Sequence, residues 1–152
     1  MAKLHAIELA ITLATRQRDA LAQKHAQAQR NGAFARAQLA QLQGYAQETD
    51  ARWVAAQASP RSAELVRHHY QFADRLLQAG QMQEGVIANL DRQQAHAHQL
   101  LLQAEFKLAG LQQVLKSRQA LLRRAQQRNE QRANDEFAAL RHLHARAQSA
   151  SY

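Results

Sequence analysis

Eight histidines stand in this sequence, and six of them come in close pairs: His68 with His69, His96 with His98, and His142 with His144. Imidazole is the side chain most ready to hold a metal ion or move a proton near neutral pH. Spacing decides whether two of them can do so together. Side chains share a helix face at separations of three or four, so pairs one or two apart point in different directions. No zinc-binding helix motif, phosphate-cradling glycine loop or nucleophile elbow occurs. The twelve acidic residues form no convincing pair for acid–base work. Cysteine is absent, which excludes disulfides and thiolate metal sites. The expectation is therefore no catalytic residue, no metal and no cofactor: not an enzyme, but a protein that works through its surfaces.

The elements that carry those surfaces follow from composition. Hydrophobic residues make up 46% of the 152 only because alanine is abundant; aromatics are 5%, with five glycines and one proline. A chain rich in Ala, Gln, Leu and Arg with helical periodicity reads as long helices or a coiled coil. A globular bundle of this length would need several loops, and the residues to build them are missing. The proline lies in QASPRSAEL, residues 57–65. It biases Ser59 away from the helical region and suits the first turn of a new helix, with Ser59 or Ser62 as cap and Glu64 near the positive end. The predicted fold is all-α: helix one over about 3–57, a turn at about 58–61, and helix two over about 62–146. The two should form an antiparallel coiled-coil hairpin.

A heptad row runs along the first segment: Leu4, Ile7, Ile11, Ala14, Leu21, Ala28, Ala35, Leu39, Leu42, Ala46 and Trp53, interrupted by Arg18, His25, Gly32 and Thr49. Each interruption forgoes roughly 1.5–3 kcal/mol of the burial a leucine would give, so the coil should be marginal. Helix two carries apolar rows at Leu65, Phe72, Leu76, Ala79, Val86 and Leu90, then at Leu101, Ala104, Leu108, Leu111, Leu115, Leu122 and Ala125. Gly80, Gly85 and Gly110 are expected places to bend or fray. A reversal at Pro60 sets Ile7 against Val114, Ile11 against Gly110 beside Leu111, Ala35 against Val86, and Leu39 against Met82.

Two features exceed what a hairpin needs. Gln38, Leu42, Tyr45 and Thr49 on helix one should lie beside Phe72, Leu76, Ala79 and Gln83 on helix two. These residues either thicken the seam or form a docking patch with aromatic anchors. The second feature is an overhang: with Met1 facing Ala120, the rest of helix two has no partner. Arg123, Arg124, Arg128, Arg132, Arg141 and Arg146 there outnumber Glu130, Asp135 and Glu136. Leu122, Ala125, Ala133, Phe137, Leu140 and Leu143 leave it a residual apolar row. An amphipathic basic helix without a partner suits a groove or channel.

Three segments, QLAQLQGYAQETDARW (38–53), YQFADRLLQAGQMQE (70–84) and NDEFAALR (134–141), resemble the flagellar export protein FliJ family. That resemblance implies a coiled-coil stalk of the type III export apparatus, similar to the central stalk of rotary ATP synthases. Its paired terminal region would sit in the hexameric export ATPase and promote ring assembly. Its turn-proximal surface would contact the export gate protein FlhA, and it would also bind empty export chaperones. Position by position, the gate-binding pattern falls on Gln38, Leu42, Tyr45, Phe72, Leu76 and Ala79, whereas Thr49 and Gln83 depart from it. The ATPase-facing part falls on the overhang, with Arg123, Arg124, Arg128, Arg132, Phe137 and Leu140.

A formal charge of +8 leaves room for a polyanion partner. The 20 Lys and Arg are spread along both arms, however, and stacking aromatics are few, so nucleic acid is not expected. The injectisome counterpart of FliJ, a basic polyanion-binding coil and a homodimeric scaffold are the alternative readings. With no apolar run long enough to span a bilayer and no signal-peptide pattern at the start, the expected location is cytoplasmic, peripheral to the inner membrane through the gate.

Overall fold

The structure, a computed structural model, describes residues 2–151. Two helices account for nearly all of it: α1 (Ala2–Ala55) and α2 (Ala63–Ala150), joined through a single 3-10 turn at Ala56–Ala58. They pack against each other in an antiparallel helical hairpin, with no strand among the described residues.

The reversal is built locally. Ser59 takes an extended conformation (φ −92°, ψ 139°), as the residue before a proline should, and its N–H donates to the Ala56 carbonyl at 3.1 Å. Pro60 has no N–H to continue a helix. Ser62 then caps α2: its Oγ accepts the Leu65 N–H at 3.1 Å, and Glu64 lies in the positive first turn.

The molecule divides into two packing units. In the unit Gln17–Glu105, the heptad row of α1 lies inside at every position from Arg18 through His25, Gly32 and Ala35 to Leu39, Leu42, Ala46, Thr49 and Trp53. The row of α2 is Val66, His69, Ala73, Leu76, Gly80, Gln83, Ile87, Leu90, Gln94, Ala97, Leu101 and Ala104. This corrects the expected row at three positions, since Leu65, Phe72 and Val86 remain 52%, 38% and 47% exposed and their C-terminal neighbours face α1. Met82, expected opposite Leu39, is 75% exposed. Leu39 instead packs beside Gly80, where an added Cβ would lie at an ordinary contact distance of 3.9 Å from its Cδ1. At this level the seam of α2 is made of Ala73, Leu76 and Gly80, with Phe72, Leu77 and Met82 beside it.

The second unit comprises Met1–Arg16 with Phe106–Tyr152. Ala14 and Leu108 are its buried centre, flanked by half-buried Leu4, Ile7, Ile11, Leu111 and Leu115. Val114 and Gly110, the expected partners of Ile7 and Ile11, are exposed, and the seam again uses their neighbours Leu111 and Leu115. Met1, assigned to face Ala120, lies outside the described residues. Ala120 is the last half-buried position of α2, and from Leu121 to Ala150 every residue is exposed, Leu122 and Ala125 included. α2 passes through Gly80, Gly85 and Gly110 as one uninterrupted helix. Among the described residues no helix, α1 and α2 included, is long and apolar enough to cross a membrane.

The seam is thin. Among apolar side chains only Ala14, Ala35 and Leu108 are fully buried in the described residues. Leu108→Ala should therefore lower unfolding stability by about 2–4 kcal/mol. Phe106→Ala, at a position 83% exposed, should change it by no more than about 0.5 kcal/mol. Urea titration followed by far-ultraviolet circular dichroism measures both, and equal losses would contradict this seam.

Candidate functional site

Coiled-coil residues beside the seam are held in place by the seam without being consumed by it, and the turn-proximal cluster is built this way. Leu42 and Leu76 lie on the seam and are half-buried; Ala79 is half-buried beside it. Tyr45 and Phe72 flank the seam from opposite helices, 52% and 38% exposed. Their rings meet edge to face, with centroids 5.9 Å apart at 80°. That is the arrangement the quadrupoles of two aromatic rings favour. Gln38 is exposed and joined to the cluster by Gln83, whose amide donates to Gln38 Oε1 at 3.1 Å and to the Ala35 carbonyl at 2.9 Å. Thr49 Oγ1 donates back to the Tyr45 carbonyl at 2.8 Å. Gln38, Leu42, Tyr45, Phe72, Leu76 and Ala79 thus share one stretch of the hairpin near its turn.

The arginine-rich end has a different character. Arg123, Arg124, Arg128 and Arg132 are all exposed. Phe137 and Leu140 are 63% and 64% exposed, and the Arg141 guanidinium lies 5.9 Å from the Phe137 ring centroid. These two apolar side chains are three apart and share a helix face that no described residue covers.

Sequence reasoning missed three constellations because each joins residues from both helices. Near the turn, the His69 imidazole stacks on the Trp53 indole, 3.9 Å between centroids and 1° from parallel. The Arg61 guanidinium also lies on that indole at 3.7 Å, while its Nη2 donates to the Trp53 carbonyl. His69, with its side chain 10% exposed, brings Nε2 to 4.0 Å from Asp50 Oδ1. Farther from the turn, Arg36 donates to both oxygens of Asp91, at 2.6 and 2.8 Å. His25 and His98 approach to 5.1 Å between ring centroids. For Trp53 with His69 and His25 with His98 the signal was present in the register, whereas Arg36 reaches Asp91 from a level that the register does not pair with it. No three metal-ligating side chains gather among the described residues.

Fold and surfaces together define a two-helix coiled-coil protein with an uncovered basic end. The family model described as Flagellar FliJ protein matches residues 5–147, nearly the whole chain, and the chain belongs to that family. It is a flagellar export-related protein, from a family of non-catalytic export-apparatus components. Comparison with curated proteins and with solved structures finds no match.

The Tyr45–Phe72 contact should be measurable as a coupling. A double-mutant cycle with Tyr45→Ala and Phe72→Ala should give about 0.5–1.5 kcal/mol of interaction free energy in urea unfolding. Strictly additive losses would mean the rings do not meet in solution.

Proposed function

We propose that this chain is a non-enzymatic stalk of the flagellar type III export apparatus, bridging the export ATPase ring and the export gate. The carrying observation is the run of α2 from Leu121 to Ala150, fully exposed and rich in arginine in a helix that is covered up to Ala120. A helix end with that composition and no partner in its own chain suits insertion into a channel. In this reading Arg123, Arg124, Arg128 and Arg132 face the ATPase, and Phe137 and Leu140 supply apolar contact. Insertion into the ring promotes its assembly and ATP turnover.

The turn-proximal cluster serves the other end of the bridge. Tyr45 and Phe72 are exposed aromatic anchors braced by the seam residues Leu42 and Leu76, with Gln38 and Ala79 completing a surface for FlhA. Empty export chaperones are a further class of partner. The protein would reach the cytoplasmic face of the inner membrane through the gate rather than through lipid.

Two experiments separate the surfaces. ATP turnover of the cognate export ATPase, measured at low concentration, should rise with this protein and should not rise when residues after Ala120 are deleted. Stimulation that survives the deletion would refute the channel assignment. Tyr45→Ala and Phe72→Ala should each weaken binding to the cytoplasmic part of FlhA by about 2 kcal/mol in titration calorimetry while leaving the stimulation of turnover intact.

A further inference from the structure

The two flanks of the seam in the unit Gln17–Glu105 carry different charge. One flank holds Gln38, Tyr45 and Phe72, with Lys24 and Arg52 as its charges on α1. The other holds Asp50 on α1 and Glu84, Asp91 and Glu105 on α2, with Arg36 there already committed to Asp91. On a chain of net charge +8 this acidic flank is the exception.

The same acidic flank contains an open groove of about 340 Å³. Its floor is apolar: Leu39, Leu42, Ala46, Ala73, Leu76 and Gly80. Small residues at three of these positions, Ala46, Ala73 and Gly80, leave the space that larger seam residues would fill. Leu77 stands at the edge, 61% exposed, and the carboxylates of Asp50 and Glu84 lie on the rim. Asp50 is 68% exposed, with His69 as its neighbour at 4.0 Å. Glu84 forms no ion pair among the described residues. An apolar floor with an acidic rim selects an amphipathic helix that is apolar on one face and basic beside it.

This chain carries such a helix. In DEFAALRHLHAR, residues 135–146, Phe137 and Leu140 share a face and the Arg141 guanidinium lies 5.9 Å from the Phe137 ring centroid; Arg141 and Arg146 follow the acidic pair Asp135 and Glu136, and all are exposed. The geometry points to a second copy of this chain as the occupant: Phe137 and Leu140 of one molecule enter the groove between Leu42, Leu77 and Gly80 of another, and Arg141 meets Asp50 or Glu84. Self-association through this contact withdraws the basic helix end until another partner competes for it. The contact shares Phe137 and Leu140 with the export reading but is tested apart from it, because it is made by the purified protein alone and uses Arg141 rather than the arginines assigned to the ATPase.

The test is sedimentation equilibrium of the full chain over a wide concentration range, at low and high salt. Reversible self-association that weakens as salt rises is expected. Two variants then divide the contact: Asp50→Arg with Glu84→Arg alters the groove rim, and Arg141→Glu with Arg146→Glu alters the helix. These positions are exposed, so circular dichroism should show both variants as helical as the unaltered chain. Each alone should associate at least about tenfold more weakly, because like charges then face each other. Mixing the two should restore association, since every groove then finds a helix of opposite charge. A chain that stays monomeric throughout, an association indifferent to both sets of changes, or a mixture that fails to recover would each overturn the proposal.

Discussion

The structure depends on one packing constraint: the seam between α1 and α2 is a single layer of side chains, and much of that layer is small. Leu39 lies against α2 at Gly80, where even an added Cβ would stand at an ordinary van der Waals distance from its Cδ1. Ala14 and Ala35 are two of the three buried apolar side chains among the described residues. A buried alanine removes little apolar area from water, so each such position contributes less than a leucine would. The polar members of the seam, Arg18, His25, Thr49, His69, Gln83 and Gln94, lower that contribution further. Such a hairpin is held by many modest contacts along its length rather than by a deep core.

A thin seam also explains why the larger apolar residues stand outside it. Phe72, Val86 and Leu65 lie immediately beside the contact line, where they are steadied by the seam but remain open to solvent. In a globular domain such residues would be drawn into the core; in a two-helix fold there is no third layer to cover them. The result is a surface already furnished with aromatic and aliphatic anchors, which is what a protein acting through successive partners requires. The division of charge between the two flanks gives each of those surfaces its own selectivity.

The turn is over-determined by comparison. Pro60 stops α1, Ser62 starts α2, and Trp53 gathers Arg61 and His69 onto its indole, tying the end of one helix to the beginning of the next. Fixing the reversal fixes the register of everything that follows, because two antiparallel helices have no other restraint on sliding than their turn and their seam. Gln38 with Gln83 and His25 with His98 meet across the helices in the register the turn imposes.

The amino-acid sequence by itself determined the helices, their reversal at Pro60, the inward row of α1 and the uncovered end of α2. These are local or nearly local matters: helix propensity, the missing proline N–H, a heptad period, and the simple difference in length between the arms. The cluster of Gln38, Leu42, Tyr45, Phe72, Leu76 and Ala79 was legible for the same reason, since a register centred on the turn brings both halves together. The tertiary structure alone decided, at three places on α2, which of two adjacent apolar residues faces α1. Leu65 and Val66, Phe72 and Ala73, and Val86 and Ile87 are adjacent apolar pairs, and hydropathy cannot choose between neighbours that are both apolar. Packing against α1 made the choice, turning Val66, Ala73 and Ile87 inward. That choice left Leu65, Phe72 and Val86 outside the seam. Packing between two helices is a property of the pair, and neither strand of sequence carries it alone.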